Sequence, residues 1–150
     1  MRSLFNPGLV CLVILAAALG GCSKETSDRS LVFLGPSEGQ QIVGEPRRNL
    51  LGLGGEQTGV WVDPRSEADY LAGHIPGAIS IPLKLIATEH ERLKSYGVII
   101  VYGDDYRDPV AEGMSKKLLQ LGYRDVRTLR GGLRAWKDAG YGLETGSGGN

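Results

Sequence analysis

The sequence predicts an α/β domain, a parallel sheet with helices packed on both faces. Three observations lead there. Val98-Ile99-Ile100-Val101 is an unbroken aliphatic, β-branched run, the pattern of a strand buried on both sides. Short apolar runs of this kind alternate along the chain with helix-patterned stretches, at a spacing that suits parallel strands joined by crossover helices. Beyond Val101 comes a polar turn, Gly103-Asp104-Asp105-Tyr106-Arg107, and then Asp108-Pro109, an N-cap followed by proline at the first helical position. A strand, a tight loop and a helix N-terminus in succession is where α/β folds hold anions, because free amide groups and the helix dipole converge there.

The elements read in order as follows. Leu31–Leu34 forms a first, edge strand, and Pro36-Ser37-Glu38 opens a helix to about Val43. Residues 44–59 read as an exposed loop. Their Gly52-Leu53-Gly54-Gly55 lacks the remaining glycine and the strand–helix frame of a dinucleotide fingerprint. Val60–Val62 is a strand, Ser66–Leu71 a short helix closed by Gly73, His74–Ala78 a turn, and Ile79–Ile81 a brief strand. Thr88-Glu89-His90-Glu91 reads as a capping box for a helix to about Tyr96. After Asp108, the apolar stripe Val110, Met114, Leu118, Leu121 marks a helix ending at Gly122. Val126–Leu129 is a strand, and Leu133–Ala139 a last helix with Trp136 on its buried side. Residues 145–150 form a glycine-rich tail, expected to fray from Glu144 onward.

Composition narrows the function. The 150 residues suit one domain, and 41% apolar content supports an ordinary core. Seventeen basic and 17 acidic residues balance, which argues against a broad nucleic-acid surface. The two cysteines are Cys11 and Cys22, so the domain has neither a disulfide nor a cysteine zinc site.

The first 21 residues read as a signal peptide: Arg2, then a continuous apolar core from Leu9 to Leu19. Such a core is too short to span a bilayer, which takes about 20 residues. Leu19-Gly20-Gly21-Cys22 resembles the bacterial lipobox. That resemblance implies cleavage before Cys22 and acylation of its thiol, including palmitate. It implies a lipid-anchored protein of the cell envelope, on the outer membrane facing the periplasm where two membranes exist. A secretory signal cut after Gly20 and an uncleaved anchor are the competing readings. Residues 22–30, Cys22 and the polar stretch after it, form a tether without hydrophobic periodicity.

Three blocks stand in order: Val62–Pro82, with Asp63-Pro64-Arg65 and Gly73-His74-Ile75-Pro76-Gly77-Ala78; the strand–loop–helix at 98–121; and Leu129–Trp136, with Gly131-Gly132 and Ala135-Trp136. Together, across residues 31–144, they resemble the rhodanese family. The resemblance implies a three-layer sandwich with a five-stranded, mostly parallel sheet. Active members of that family carry a cysteine at the strand tip, which takes up sulfur as a persulfide and passes it on. Alignment by the strand puts this position at Gly103, and alignment back from Gly122 puts it nearer Asp105. Neither is a cysteine.

Sulfur transfer needs a thiolate nucleophile. Asp104, Asp105 and Asp108 against Arg107 also make the loop net negative, a poor field for thiosulfate or phosphate. The expectation is therefore a pseudoenzyme: no catalytic residue, no metal and no cofactor, with Gly103, Asp104, Asp105, Tyr106 and Arg107 as a degenerate active-site loop able to bind a protein or ligand. Tyr106 and Arg107 are the residues suited to a protein contact. Asp63 and Arg65 flank the pocket, most simply as a cap and its ion pair. His74 reads as a turn organiser and His90 as solvent-facing. The carboxylates lack calcium-loop spacing, although a metal-sensing or small-ligand module is one rival. The others are an envelope hydrolase or transferase using Asp104 or Asp105, and residual binding of sulfur compounds.

Overall fold

The computed structural model describes residues 26–46 and 57–147. The signal peptide, Cys22, most of the 44–59 loop and the last three residues lie outside them. Five strands, β1 (Val32–Leu34), β2 (Gly59–Asp63), β3 (Ile79–Ser80), β4 (Val98–Val101) and β5 (Val126–Leu129), make one sheet in the order β1-β5-β4-β2-β3. Every strand pairing is parallel. The helices are α1 (Pro36–Gly44), α2 (Glu67–Ala72), α3 (Ile86–Glu89), α4 (Pro109–Gln120) and α5 (Gly132–Asp138).

Successive side chains of a strand point to opposite faces, and the two halves of the core follow from that. Trp61, Ile100 and Tyr102 face one side, where they meet Tyr70 of α2 and Leu133 and Trp136 of α5. Val60, Val62, Ile99 and Val101 face the other and meet Ile86 of α3 and Met114 and Leu118 of α4. The aliphatic run of β4 is completely covered, as expected of a central parallel strand. β1 is an edge strand, also as expected.

Four expectations need correction. The segment 88–96 is not one capped helix: α3 starts earlier, at Ile86, and gives way to a 3₁₀ turn over His90–Leu93. Thr88 donates its hydroxyl hydrogen to the Leu85 carbonyl instead of capping, because Ile86 and Leu93 are the residues the sheet buries. The buried stripe of α4 is Ala111, Met114, Ser115 and Leu118, while Val110 and Leu121 are half-buried. Small Ala111 and Ser115 let the helix lie close to β5, where the Ser115 and Thr128 hydroxyls bond at 2.8 Å. Glu144 does not fray: it exchanges two backbone hydrogen bonds with His74, both 2.9 Å, and Gly146 N–H donates to Leu71. His90 is half-buried against the Tyr123 ring rather than solvent-facing.

The tether is also partly docked. Thr26 accepts a hydrogen bond from Gln120, and Asp28 pairs with Lys116, so residues 26–30 run beside α4.

Candidate functional site

Chain connections leave the C-terminal ends of β2 and β4 in opposite directions, β2 toward β3 and β4 toward β5. In parallel sheets such a switch point opens a crevice where ligands bind. The loops after β2, β4 and β5 meet there. Gly103 and Asp104 carbonyls accept hydrogen bonds from Leu133 and Arg134 N–H groups of α5, at 2.8 and 3.0 Å. This close approach requires Gly132 to lack a side chain, since a Cβ there would overlap the Gly103 carbonyl; its φ of +52° is likewise a glycine conformation.

The centre of the loop is filled by Asp108. One carboxylate oxygen accepts from Val110 N–H at 2.8 Å and Ala111 N–H at 3.1 Å, the other from Asp104 N–H at 2.9 Å. The amides that would receive an anion at this helix start are thus satisfied from within the chain. Gly103 is buried directly against that carboxyl group. A Cβ on Gly103 would overlap the carboxyl carbon and lie 2.7 Å from Asp108 Cβ.

Asp63 and Arg65 meet as the sequence suggests. Arg65 donates to both Asp63 oxygens through Nε and Nη2, the shortest at 2.6 Å, and Nη2 also reaches the Gly73 carbonyl at 2.7 Å. The Asp63 side chain is fully buried and that of Arg65 only 8% exposed. Burial alone would lower the Arg65 guanidinium, but the hydrogen bonds and charge of Asp63, joined by Asp104, hold it above its ordinary value. Burial, with Asp63 next to it, likewise pushes the Tyr102 phenol up.

The acidic loop is not the bare negative surface that its composition suggests. Arg65 Nη1 bonds Asp104 at 2.8 Å, and Arg134 Nη1 bonds Asp105 at 3.2 Å. Asp105 also accepts from Tyr106 N–H, and that bond, together with Arg134, holds its carboxyl below the usual range. Neither arginine contact was visible in the sequence, since the partners lie 39 and 29 residues apart. The Gly131-Gly132 turn that aims Arg134 at the loop was the available signal.

Arg107 takes a left-handed φ of 55°, and Tyr106 stands 60% exposed over Gly131. They border an open groove of about 610 Å³ whose other walls include Phe33, Arg130 and Glu112. The Arg130 guanidinium lies 5.3 Å over the Phe33 ring. Sequence reasoning missed both, because they come from the two strands at the far edge. Among the described residues, no three His, Cys, Asp or Glu side chains converge as metal ligands.

Comparison with known proteins agrees with this architecture. The curated relatives include the uncharacterized protein BU052 of Buchnera aphidicola, 35% identical over 80 residues, covering 51% of this chain and 54% of that protein. They also include the thiosulfate sulfurtransferase YnjE of Escherichia coli, 34% identical over 94 residues, covering 52% of this chain and 21% of that one. The chain thus spans about half of the first and about a fifth of the second. Among solved structures, a thiosulfate sulfurtransferase of Pseudomonas aeruginosa superposes with a TM-score of 0.63 at 23% identity, over 77% of this chain and 20% of the other. BH2092 protein of Bacillus halodurans does so with a TM-score of 0.58 at 25% identity, over 78% and 79%. The profile of the rhodanese-like domain matches residues 48–139, more than half of the chain, and the chain belongs to that family.

Proposed function

We propose that this protein is a catalytically silent rhodanese-like domain, anchored to the bacterial cell envelope through lipid on Cys22, that works by binding a protein or ligand. The observation that carries this is the seat of Asp108. Its carboxylate and three backbone amides close the cradle beside Gly103, and the only cysteines of the chain, Cys11 and Cys22, precede the domain. Sulfur transfer as practised by a thiolate has no nucleophile there.

The carboxylates do not supply a substitute. A general base of this type needs a sheltered position and a raised pKa, and a carboxylate nucleophile needs a sheltered position free of a competing ion pair. The Asp104 and Asp105 side chains are 66% and 52% exposed, both are paired with arginines, and Asp105 is lowered rather than raised. The groove bordered by Tyr106, Arg107, Phe33 and Arg130 offers aromatic and guanidinium contacts of the kind that dominate protein interfaces.

Two experiments test the reading. Metabolic labelling with radioactive palmitate should mark the wild type and not Cys22→Ser; label retained by the variant contradicts the anchor. A photoreactive residue at position 106 should crosslink a distinct envelope protein in cells. Identical products from a photoreactive residue at position 69, on the exposed side of α2, would contradict a binding role for the loop.

A further inference from the structure

We propose that the face of the domain carrying Lys84, Leu85, Lys116 and Lys117 lies flat against an anionic phospholipid surface. The inference rests on the reading of Cys22 as the anchored residue. Gly113, Lys116, Lys117 and Gln120 recur at helical spacing on the outer side of α4, and with Leu83 and Lys84 of the 3₁₀ turn Leu83–Leu85 ahead of α3 they border a shallow groove of about 350 Å³. Leu85, the chain neighbour of Lys84 on that same turn, is 37% exposed. Lys116 is engaged by Asp28, with Glu112 one turn away. Lys84 and Lys117 have no ion-pair partner among the described residues.

Connectivity picks the occupant. Thr26 is bonded to the Gln120 side chain at 3.0 Å, at the very end of this face. Four residue steps separate Cys22 from Thr26, so the anchored residue lies within about 14 Å of it at full extension. A lipid at Cys22 therefore holds this end of α4 at the headgroup layer, within a distance comparable to the Debye length of about 8 Å plus a lysine side chain. Juxtamembrane lysines facing anionic headgroups are attracted, and an exposed leucine next to Lys84 adds apolar area for the interface. Docking of the tether through Thr26 and Asp28 removes much of the freedom with which the domain would otherwise tumble. The groove near Tyr106 is lined by Asp108, Ala111 and Glu112 from the first turn of α4, and Asp28 of the tether also borders it.

The test uses the chain from Cys22 onward, coupled through the Cys22 thiol to a maleimide lipid. The vesicles contain either phosphatidylglycerol or phosphatidylcholine alone. Because coupling replaces biological acylation, the outcome does not depend on whether the cell lipidates Cys22, which palmitate labelling answers separately. Lysine acetylation is then read by mass spectrometry. On phosphatidylglycerol, Lys84 and Lys117 should be acetylated several-fold more slowly than on phosphatidylcholine. Lys137, on α5 across the sheet, should be unchanged, and 1 M salt should abolish the difference. In Lys84→Glu/Lys117→Glu, Lys116 should react at the same rate on both vesicles. Equal acetylation of Lys84 and Lys117 on the two vesicles would overturn the proposal. So would full protection by dissolved inorganic phosphate without vesicles, which would assign the patch to a free anion.

Discussion

Asp108 occupies the space that a side chain at Gly103 would need. The two residues are five apart in the chain, yet a Cβ on Gly103 would lie 2.7 Å from Asp108 Cβ and nearer still to its carboxyl carbon. The glycine and the aspartate form one unit: the first makes room, and the second fills it and caps α4.

That coupling predicts how a cysteine would be received. Gly103→Cys should destabilise the domain by about 1–3 kcal/mol, the usual cost of overpacking a filled site. Gly103→Cys/Asp108→Gly should be more stable than the two single effects summed, since glycine is a tolerated N-cap and removes both the Cβ and the carboxyl group that crowd position 103. Thermal denaturation of the four proteins checks the sign. A strictly additive result would mean that the two residues do not compete.

Arg65 joins a buried and an exposed carboxylate, and the two should respond differently. Arg65→Met leaves Asp63 fully buried without its cation, which should cost about 3–5 kcal/mol. Asp104→Ala removes the exposed partner only and should cost about 0–1 kcal/mol. Urea unfolding midpoints would show the contrast, and comparable losses would contradict it.

The hydroxyl pair under α4 gives a third test. Ser115→Ala strands the buried Thr128 hydroxyl, at a cost of about 1–3 kcal/mol. Ser115→Ala/Thr128→Val, which removes both partners, should recover most of that loss in the same unfolding experiment.

Two exposed acids make stability fall in acid. The Lys116 ammonium lowers Asp28, and the Tyr106 amide and Arg134 lower Asp105. A carboxyl group lowered in the folded state contributes stability above its unfolded value and loses it as pH falls through the lowered folded one. Asp28→Asn/Asp105→Asn should therefore flatten the thermal-midpoint profile on the acid side of the ordinary carboxylate range. Because both groups are exposed, 0.5 M salt should shrink the difference. A variant profile parallel to wild type at low salt would rule these acids out.

Local pattern carried most of the fold. Four β-branched residues in a row read as a strand buried on both faces, which β4 is, and Asp108-Pro109 placed the start of α4 to the residue. The reading failed where tertiary packing overrode local signals. Thr88 and Glu91 have capping-box spacing, but burial of Ile86 and Leu93 decided where that segment turns. Glu144 sits in a glycine-rich tail, and only the distant His74 backbone explains its order. At the site, the absence of a thiol was plain in the sequence. The arginines that neutralise Asp104 and Asp105 come from other loops, and residue spacing carries no trace of them.

Central to this account is a rhodanese-like frame without sulfur-transfer chemistry, and the most direct measurement is thiocyanate formation from thiosulfate and cyanide by the purified wild-type domain. The account predicts a rate equal to that of the heat-denatured protein at every concentration. Thiocyanate above that control, rising in proportion to folded protein, would contradict it.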